Sequence, residues 1–146
     1  MSLTSTVTES FERSFALYRD LVALLDADAL ASRLGAIRSN AIGAQLWCVV
    51  GSRESYARAI AAGAWTGFAS SLDDTADPAE VTAALDRSAD AVRAVLAGAD
   101  GSDDARNRLL LDLLEHEAQH HGQLIRYLYG LGLVIPPSWK ARYALD

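Results

Sequence analysis

Residues 109–128, Leu-Leu-Leu-Asp-Leu-Leu-Glu-His-Glu-Ala-Gln-His-His-Gly-Gln-Leu-Ile-Arg-Tyr-Leu, decide the fold. Leucines recur in this stretch at the spacing of one helix face: Leu109, Leu113, Leu124 and Leu128. A stripe with this period predicts a long amphipathic helix that packs against a core. Asp103 and Asp104 suit its start, because negative charge is favourable at a helix amino terminus. Gly130 marks its predicted end.

The same period predicts three more long helices, at about residues 8–25, 40–62 and 78–98. Asn40 is a good cap for the second of these, and Asp77 followed by Pro78 is typical of a helix start. A short helical turn is expected at residues 29–34. No segment has the alternation of a β-strand, so we predict an all-α fold, an antiparallel four-helix bundle whose non-helical tail, residues 134–139, folds over one end.

Length and composition favour a single soluble domain that spans residues 1–146, since 51% of the residues are hydrophobic. The net charge of -6 argues against nucleic acid or an anionic membrane as partner, because both require a basic surface. A small neutral or cationic ligand fits better. Cys48 is the single cysteine, and neither a signal peptide nor an apolar stretch of about 20 residues is visible, so we expect a cytoplasmic protein.

All three histidines of the chain lie within the predicted fourth helix. His116 and His120 are four residues apart and therefore share one helix face, whereas His121 points elsewhere. They also fall on the leucine stripe, which faces the core. Two interpretations remain open: the pair could coordinate one metal ion, or both could be core histidines satisfied by hydrogen bonds.

Residues 116–120 also match His-Glu-x-x-His, the motif in which zinc peptidases use two histidine ligands and a glutamate base. Such enzymes need a third protein ligand, usually downstream. After His121 the chain contains no histidine, glutamate or cysteine, and no strand is predicted beside the helix. We interpret the match as coincidental. Glu117 could then orient the histidines without binding the metal itself, or it could be exposed to solvent.

A third ligand would have to come from upstream, and Cys48 is the best candidate. The second predicted helix carries small residues along one face, which lets another helix approach closely: Ala41, Ala44, Cys48, Ser52, Ser55 and Ala59. Gln45 lies about one helical turn before Cys48, and Ser52 lies about one turn after it. A site of one cysteine and two histidines has an open fourth position, which is typical of catalytic rather than structural zinc. Alternatively, Cys48 is a small buried apolar residue, as free cysteines often are.

Two motifs resemble the DinB/YfiT-like superfamily. Its fourth-helix signature is close to His-x-x-x-His-Arg-Gly-Gln, and residues 116–123 read His-Glu-Ala-Gln-His-His-Gly-Gln, with His121 in place of the arginine. Its second-helix signature is Ile-Gly followed by a histidine ligand, and residues 42–48 read Ile-Gly-Ala-Gln-Leu-Trp-Cys, with Cys48 at the ligand position. The resemblance spans nearly the whole chain and implies a four-helix bundle.

The resemblance also implies a divalent metal site at Cys48, His116 and His120, with zinc as the first choice and nickel, manganese or iron as alternatives. Relatives include transferases and isomerases that use low-molecular-weight thiols such as bacillithiol or mycothiol, and many relatives form homodimers. The implied function is therefore a metal-dependent thiol transferase or isomerase that acts on a small molecule. The alternative is a non-catalytic bundle that has lost its metal and acts as a ligand-binding or interaction module.

Overall fold

This computed structural model describes residues 2–146, which contain six α-helices and no β-strand. The helices are α1 Leu3–Val22, α2 Ala27–Ala31, α3 Ile42–Ala62, α4 Pro78–Ala97, α5 Asp104–Leu131 and α6 Pro137–Tyr143. The all-α prediction is confirmed. No helix within this range is long and apolar enough to cross a bilayer.

Local sequence signals set the ends of α4 and α5 as predicted. The Asp77 carboxylate accepts a hydrogen bond from the backbone of Ala79 at 2.9 Å, and Pro78 occupies the first helical position. Asp103 caps α5 in the same way. Gly132 ends α5 after Leu131, one residue beyond the predicted last residue, in the left-handed conformation that glycine adopts without steric cost.

The starts of the other helices differ from the predictions. Helix α1 begins at Leu3, capped by Ser2, rather than near residue 8. The short turn predicted at residues 29–34 is α2, which begins earlier because Asp26 caps it. Asn40 does not cap α3: its backbone oxygen accepts a hydrogen bond from the Tyr127 hydroxyl at 2.5 Å, and α3 begins two residues later.

The prediction of a non-helical tail is wrong for residues 137–143, which form α6. Pro136 precedes α6 and Pro137 begins it, because proline suits a first helical turn. Trp139 is fully buried, and its indole N–H donates to the backbone oxygen of Leu17 at 2.7 Å. Helix α6 therefore packs against α1.

The four long helices surround two apolar clusters. Helices α1 and α3 each contact both α4 and α5. One cluster is built around Leu21, Leu46, Leu124 and Trp139, and the other around Phe11, Ile60, Val92 and Leu113. Arg53 along α3 and Glu117 along α5 are buried polar residues between the two clusters, and Ser14 of α1 hydrogen-bonds to Glu117. The candidate functional residues lie at this level.

The segment between α3 and α4 lies close against α3. Gly51 makes this possible, because a side chain there would collide with the Phe68 ring and with Ser70. Ser55 contributes two hydrogen bonds, accepting from the Ala69 backbone N–H at 3.0 Å and donating to the Ala69 carbonyl at 3.2 Å. These contacts fix the segment beside the helix that carries Cys48.

Candidate metal centre

Three potential metal ligands meet where α3 packs on α5. The Nε2 atoms of His116 and His120 are 3.2 Å apart, and Cys48 Sγ lies 3.5 Å from His116 Nε2. All three ligand atoms lie within 4.8 Å of one another. Cys48 and His116 are half-buried, and His120 is buried. The structure thus brings together the three residues that the sequence singled out, and this group could hold a metal ion.

Two of the three separations between ligand atoms match the edges of a tetrahedral zinc site, and the third, between Cys48 and His120, is at most 4.8 Å. Zinc binds imidazole nitrogen at about 2.0–2.1 Å and thiolate sulfur at about 2.3 Å, so tetrahedral angles place two nitrogens about 3.3 Å apart and sulfur about 3.5 Å from nitrogen. The observed 3.2 and 3.5 Å need little adjustment. Two imidazoles and one thiolate are also a donor set that suits zinc.

Too many polar atoms converge on one ring nitrogen for ordinary hydrogen bonding. His116 Nε2 lies 3.1 Å from Ser52 Oγ, in addition to its contacts with Cys48 and His120. A neutral imidazole nitrogen offers one donor or one acceptor, not three interactions. The other nitrogen, Nδ1 of His116, is buried without a hydrogen-bond partner among the described residues. This arrangement favours a cation at the shared point.

Burial keeps both imidazoles neutral. It lowers the pKa of His120 to about 4, with a further contribution from the neighbouring His116. It also lowers the pKa of His116, which the nearby Glu117 charge partly offsets. Burial raises the pKa of the Cys48 thiol, against a smaller opposing effect of the Ser52 hydrogen bond. At neutral pH the two rings therefore have free lone pairs, whereas Cys48 would lose its proton when a metal binds.

Glu117 is not at the solvent, and its carboxylate hydrogen-bonds to Arg53 and Ser14 rather than to the proposed metal ligands. It is fully buried in a bidentate ion pair with Arg53, whose Nε and Nη2 atoms donate to the carboxylate at 2.6 and 2.9 Å. Burial alone would raise the pKa of Glu117, but the Arg53 charge and its hydrogen bonds lower it. A carboxylate held in this way cannot serve as a peptidase base, which agrees with a coincidental His-Glu-x-x-His match.

His121 is linked by hydrogen bonds to the ion pair of Arg53 and Glu117, not to the metal ligands. Ser14 donates to Glu117 Oε2 at 2.5 Å, so its oxygen is free to accept from His121 Nε2, which lies 3.0 Å away. His121 Nδ1 then accepts from the Tyr143 hydroxyl at 2.5 Å. The chain of hydrogen bonds joins α6 to the buried ion pair. The environment of His121 therefore differs from that of His116 and His120, the two proposed ligands.

Sequence reasoning missed Arg53 and the roles of the residues that flank Cys48. Arg53 interrupts the apolar face of α3, at helical spacing from Leu46, Val49 and Ile60. This interruption could have indicated a buried charge. Gln45 and Ser52 were identified as neighbours of Cys48, but their hydrogen bonds to His120 and His116 depend on the approach of α5.

Comparisons of the chain with protein-family models, with curated proteins and with solved structures found no match.

Proposed function

We propose that Cys48, His116 and His120 bind a divalent metal ion, with zinc as the first choice and nickel, manganese or iron as alternatives. The observation that carries the proposal is the convergence of one sulfur and two imidazole nitrogens within 4.8 Å of one another, with both distances from His116 Nε2 close to those of tetrahedral coordination. The thiolate favours zinc among these metals, because soft sulfur ligands suit zinc better than manganese.

Three protein ligands leave one coordination position for a substrate. A metal ion there supplies Lewis-acid chemistry, lowering the pKa of a thiol or a water molecule. The neutral imidazoles and the single thiolate carry little charge of their own, so the centre would keep a net positive charge that attracts an anionic sulfur or oxygen. Ser52, buried beside His116, provides a hydroxyl that can hydrogen-bond to a substrate atom at this position.

The reaction we propose is transfer of a low-molecular-weight thiol to a small electrophile, or a thiol-dependent isomerisation. In the transfer, the thiolate sulfur forms a bond to an electrophilic carbon, and the leaving group departs with its electron pair. Support comes from the resemblance of residues 42–48 and 116–123 to the DinB/YfiT-like superfamily, and we propose the four-helix bundle of that superfamily for this chain. A reduced Cys48 suits the cytoplasm.

The competing proposal is a bundle that binds no metal and serves as a ligand-binding or interaction module. One observation favours it: the imidazoles already have hydrogen-bond partners, Gln45 for His120 and Ser52 for His116. The raised pKa of Cys48 acts in the same direction, because it favours the neutral thiol in the absence of a metal.

Metal binding separates the two proposals. Protein purified without chelator should contain about one equivalent of metal by elemental analysis, and alanine at His116 or His120 should remove most of it while helical content by circular dichroism stays unchanged. Gln119→Ala is the control, since this exposed residue lies on the same helix. Full metal content in both histidine variants, or none in the wild type after incubation with zinc, would favour the module.

The role of Cys48 has its own test. Cys48→His should retain metal, because it would complete a site of three imidazoles, whereas Cys48→Ala should weaken binding by roughly the contribution of one ligand. Equal affinity of the wild type and Cys48→Ala would show that the cysteine only fills space between the helices.

A further inference from the structure

Gln45 makes the shortest hydrogen bond to either of the two proposed histidine ligands. Its side-chain oxygen, Oε1, lies 2.7 Å from Nδ1 of His120. An amide oxygen can only accept a hydrogen bond, so Nδ1 of His120 must carry the ring proton. In a neutral imidazole, Nε2 then has the free lone pair. This is the nitrogen that faces His116 Nε2 at 3.2 Å.

The other histidine of the pair lacks such a partner. Nδ1 of His116 is buried and has no hydrogen bond among the described residues, so no acceptor in this part of the chain holds the ring proton on that nitrogen. Only one ring is therefore held in the ligating tautomer before a metal arrives. The planes of the His116 and His120 rings meet at 61°. Rotation of either ring would therefore change the distance between the two Nε2 atoms.

Gln45 is well placed for this role because it shares a helix face with the proposed thiolate ligand. Residues 45, 48 and 52 of α3 are three and four positions apart and follow one line along the helix. One face of α3 thus contributes both a ligand and the group that orients another ligand from α5. A rigid helix holds the two at a fixed separation, as a preorganised site requires.

We infer that Gln45 is a positioning residue, which holds His120 in the Nδ1–H tautomer and so fixes Nε2 as its ligand atom. The inference rests on the proposed metal site. Hydrogen-bond partners of metal-bound histidines typically change metal affinity by about 10–100-fold when they are removed. Gln45→Leu keeps a side chain of similar size and removes the acceptor, so it should weaken zinc binding by about this factor.

The matched variants separate orientation from packing. Gln45→Glu retains an oxygen that accepts from Nδ1–H, and it should keep zinc affinity within a few-fold of the wild type or increase it. Gln119→Leu makes the same change at an exposed position beside His120 and should leave affinity unaltered. Affinity is measured by competition with a chromophoric chelator.

A second readout needs no metal. In the metal-free protein at a pH where the rings are neutral, nitrogen-15 NMR of the imidazoles should show His120 as the Nδ1–H tautomer, and Gln45→Leu should shift it towards Nε2–H. An unchanged tautomer together with unchanged zinc affinity in Gln45→Leu would overturn the inference, even if the wild type binds metal. Failure of the wild type to bind zinc, with the tautomer shift present, would instead overturn the proposed function and leave Gln45 as the residue that sets the tautomer.

Discussion

Replacing Glu117 with glutamine should destabilise the protein strongly, although the two side chains have nearly the same shape. The change removes the negative partner of Arg53, whose side chain is 1% exposed and would keep its positive charge inside the fold. Breaking a buried ion pair from one side typically costs about 3–5 kcal/mol. A domain of this size has a total free energy of unfolding of about 5–15 kcal/mol, so the loss would be a large fraction of it.

The surface pair of Arg93 and Glu12 provides a matched control. It has nearly the same bidentate geometry, with nitrogen–oxygen distances of 2.7 and 2.8 Å, but its side chains are 36% and 45% exposed. Solvent screens such a pair, so Glu12→Gln should cost no more than about 1 kcal/mol. The difference between the two variants therefore isolates the effect of burial.

Urea titration followed by circular dichroism measures both variants. If Glu117→Gln loses no more stability than Glu12→Gln, the reasoning about the buried charge is refuted. Should Glu117→Gln fail to fold, the double variant Arg53→Met with Glu117→Leu tests the same idea, because it removes both charges and replaces them with apolar side chains. This double variant should be more stable than Glu117→Gln.

Three further predictions concern the thiol, the imidazoles and the packing of α3. Cys48 should alkylate slowly in the metal-loaded protein and faster after chelation, because coordination covers the sulfur; equal rates would remove it from the ligand set. The metal-free protein should lose stability as the pH falls from about 6.5 to about 4, since burial lowers the pKa of His120 and His121 to about 4 and these two histidines take up protons in this window only in the unfolded chain; urea titrations that agree across the window would contradict this. Gly51→Ala should cost about 1–3 kcal/mol, because the added methyl group would collide with the segment that follows α3, whereas Gly122→Ala, which meets open space within a helix, should stabilise by about 0.5–1 kcal/mol; equal thermal midpoints would refute the close approach.

Features that depend on neighbouring residues could be predicted from the sequence. The start of α4 follows from Asp77 and Pro78 alone, and the shared helix face of His116 and His120 follows from their spacing. Cys48 was found because small residues along one face of α3 indicate where another helix can approach. These signals act over one or two helical turns, which is the range that a single sequence reveals.

Features that depend on distant residues were missed. Arg53 and Glu117 are 64 positions apart, and their pairing requires the final packing of α3 against α5. A single charge within the apolar stripe of each helix could have suggested the pair, because a buried charge needs a partner. Helix α6 was missed for a different reason: two consecutive prolines were interpreted only as a helix end, although proline also favours a helix start.

The pair of Arg53 and Glu117 also bears on the candidate metal centre. Arg53 follows Ser52 on α3, and Glu117 follows His116 on α5, so the ion pair and the contact between Ser52 and His116 lie at the same level of the helix interface. A bidentate pair allows little sliding of one helix along the other. We therefore expect it to set the register that brings Cys48 towards the two imidazoles.

The most direct test of the metal site is a crystal structure with anomalous diffraction recorded on both sides of the zinc absorption edge, from crystals grown with zinc. We expect an anomalous peak about 2.0–2.1 Å from the Nε2 atoms of His116 and His120 and about 2.3 Å from Cys48 Sγ. Zinc bound elsewhere on the protein, with the three side chains held only by hydrogen bonds to Gln45 and Ser52, would contradict the proposal.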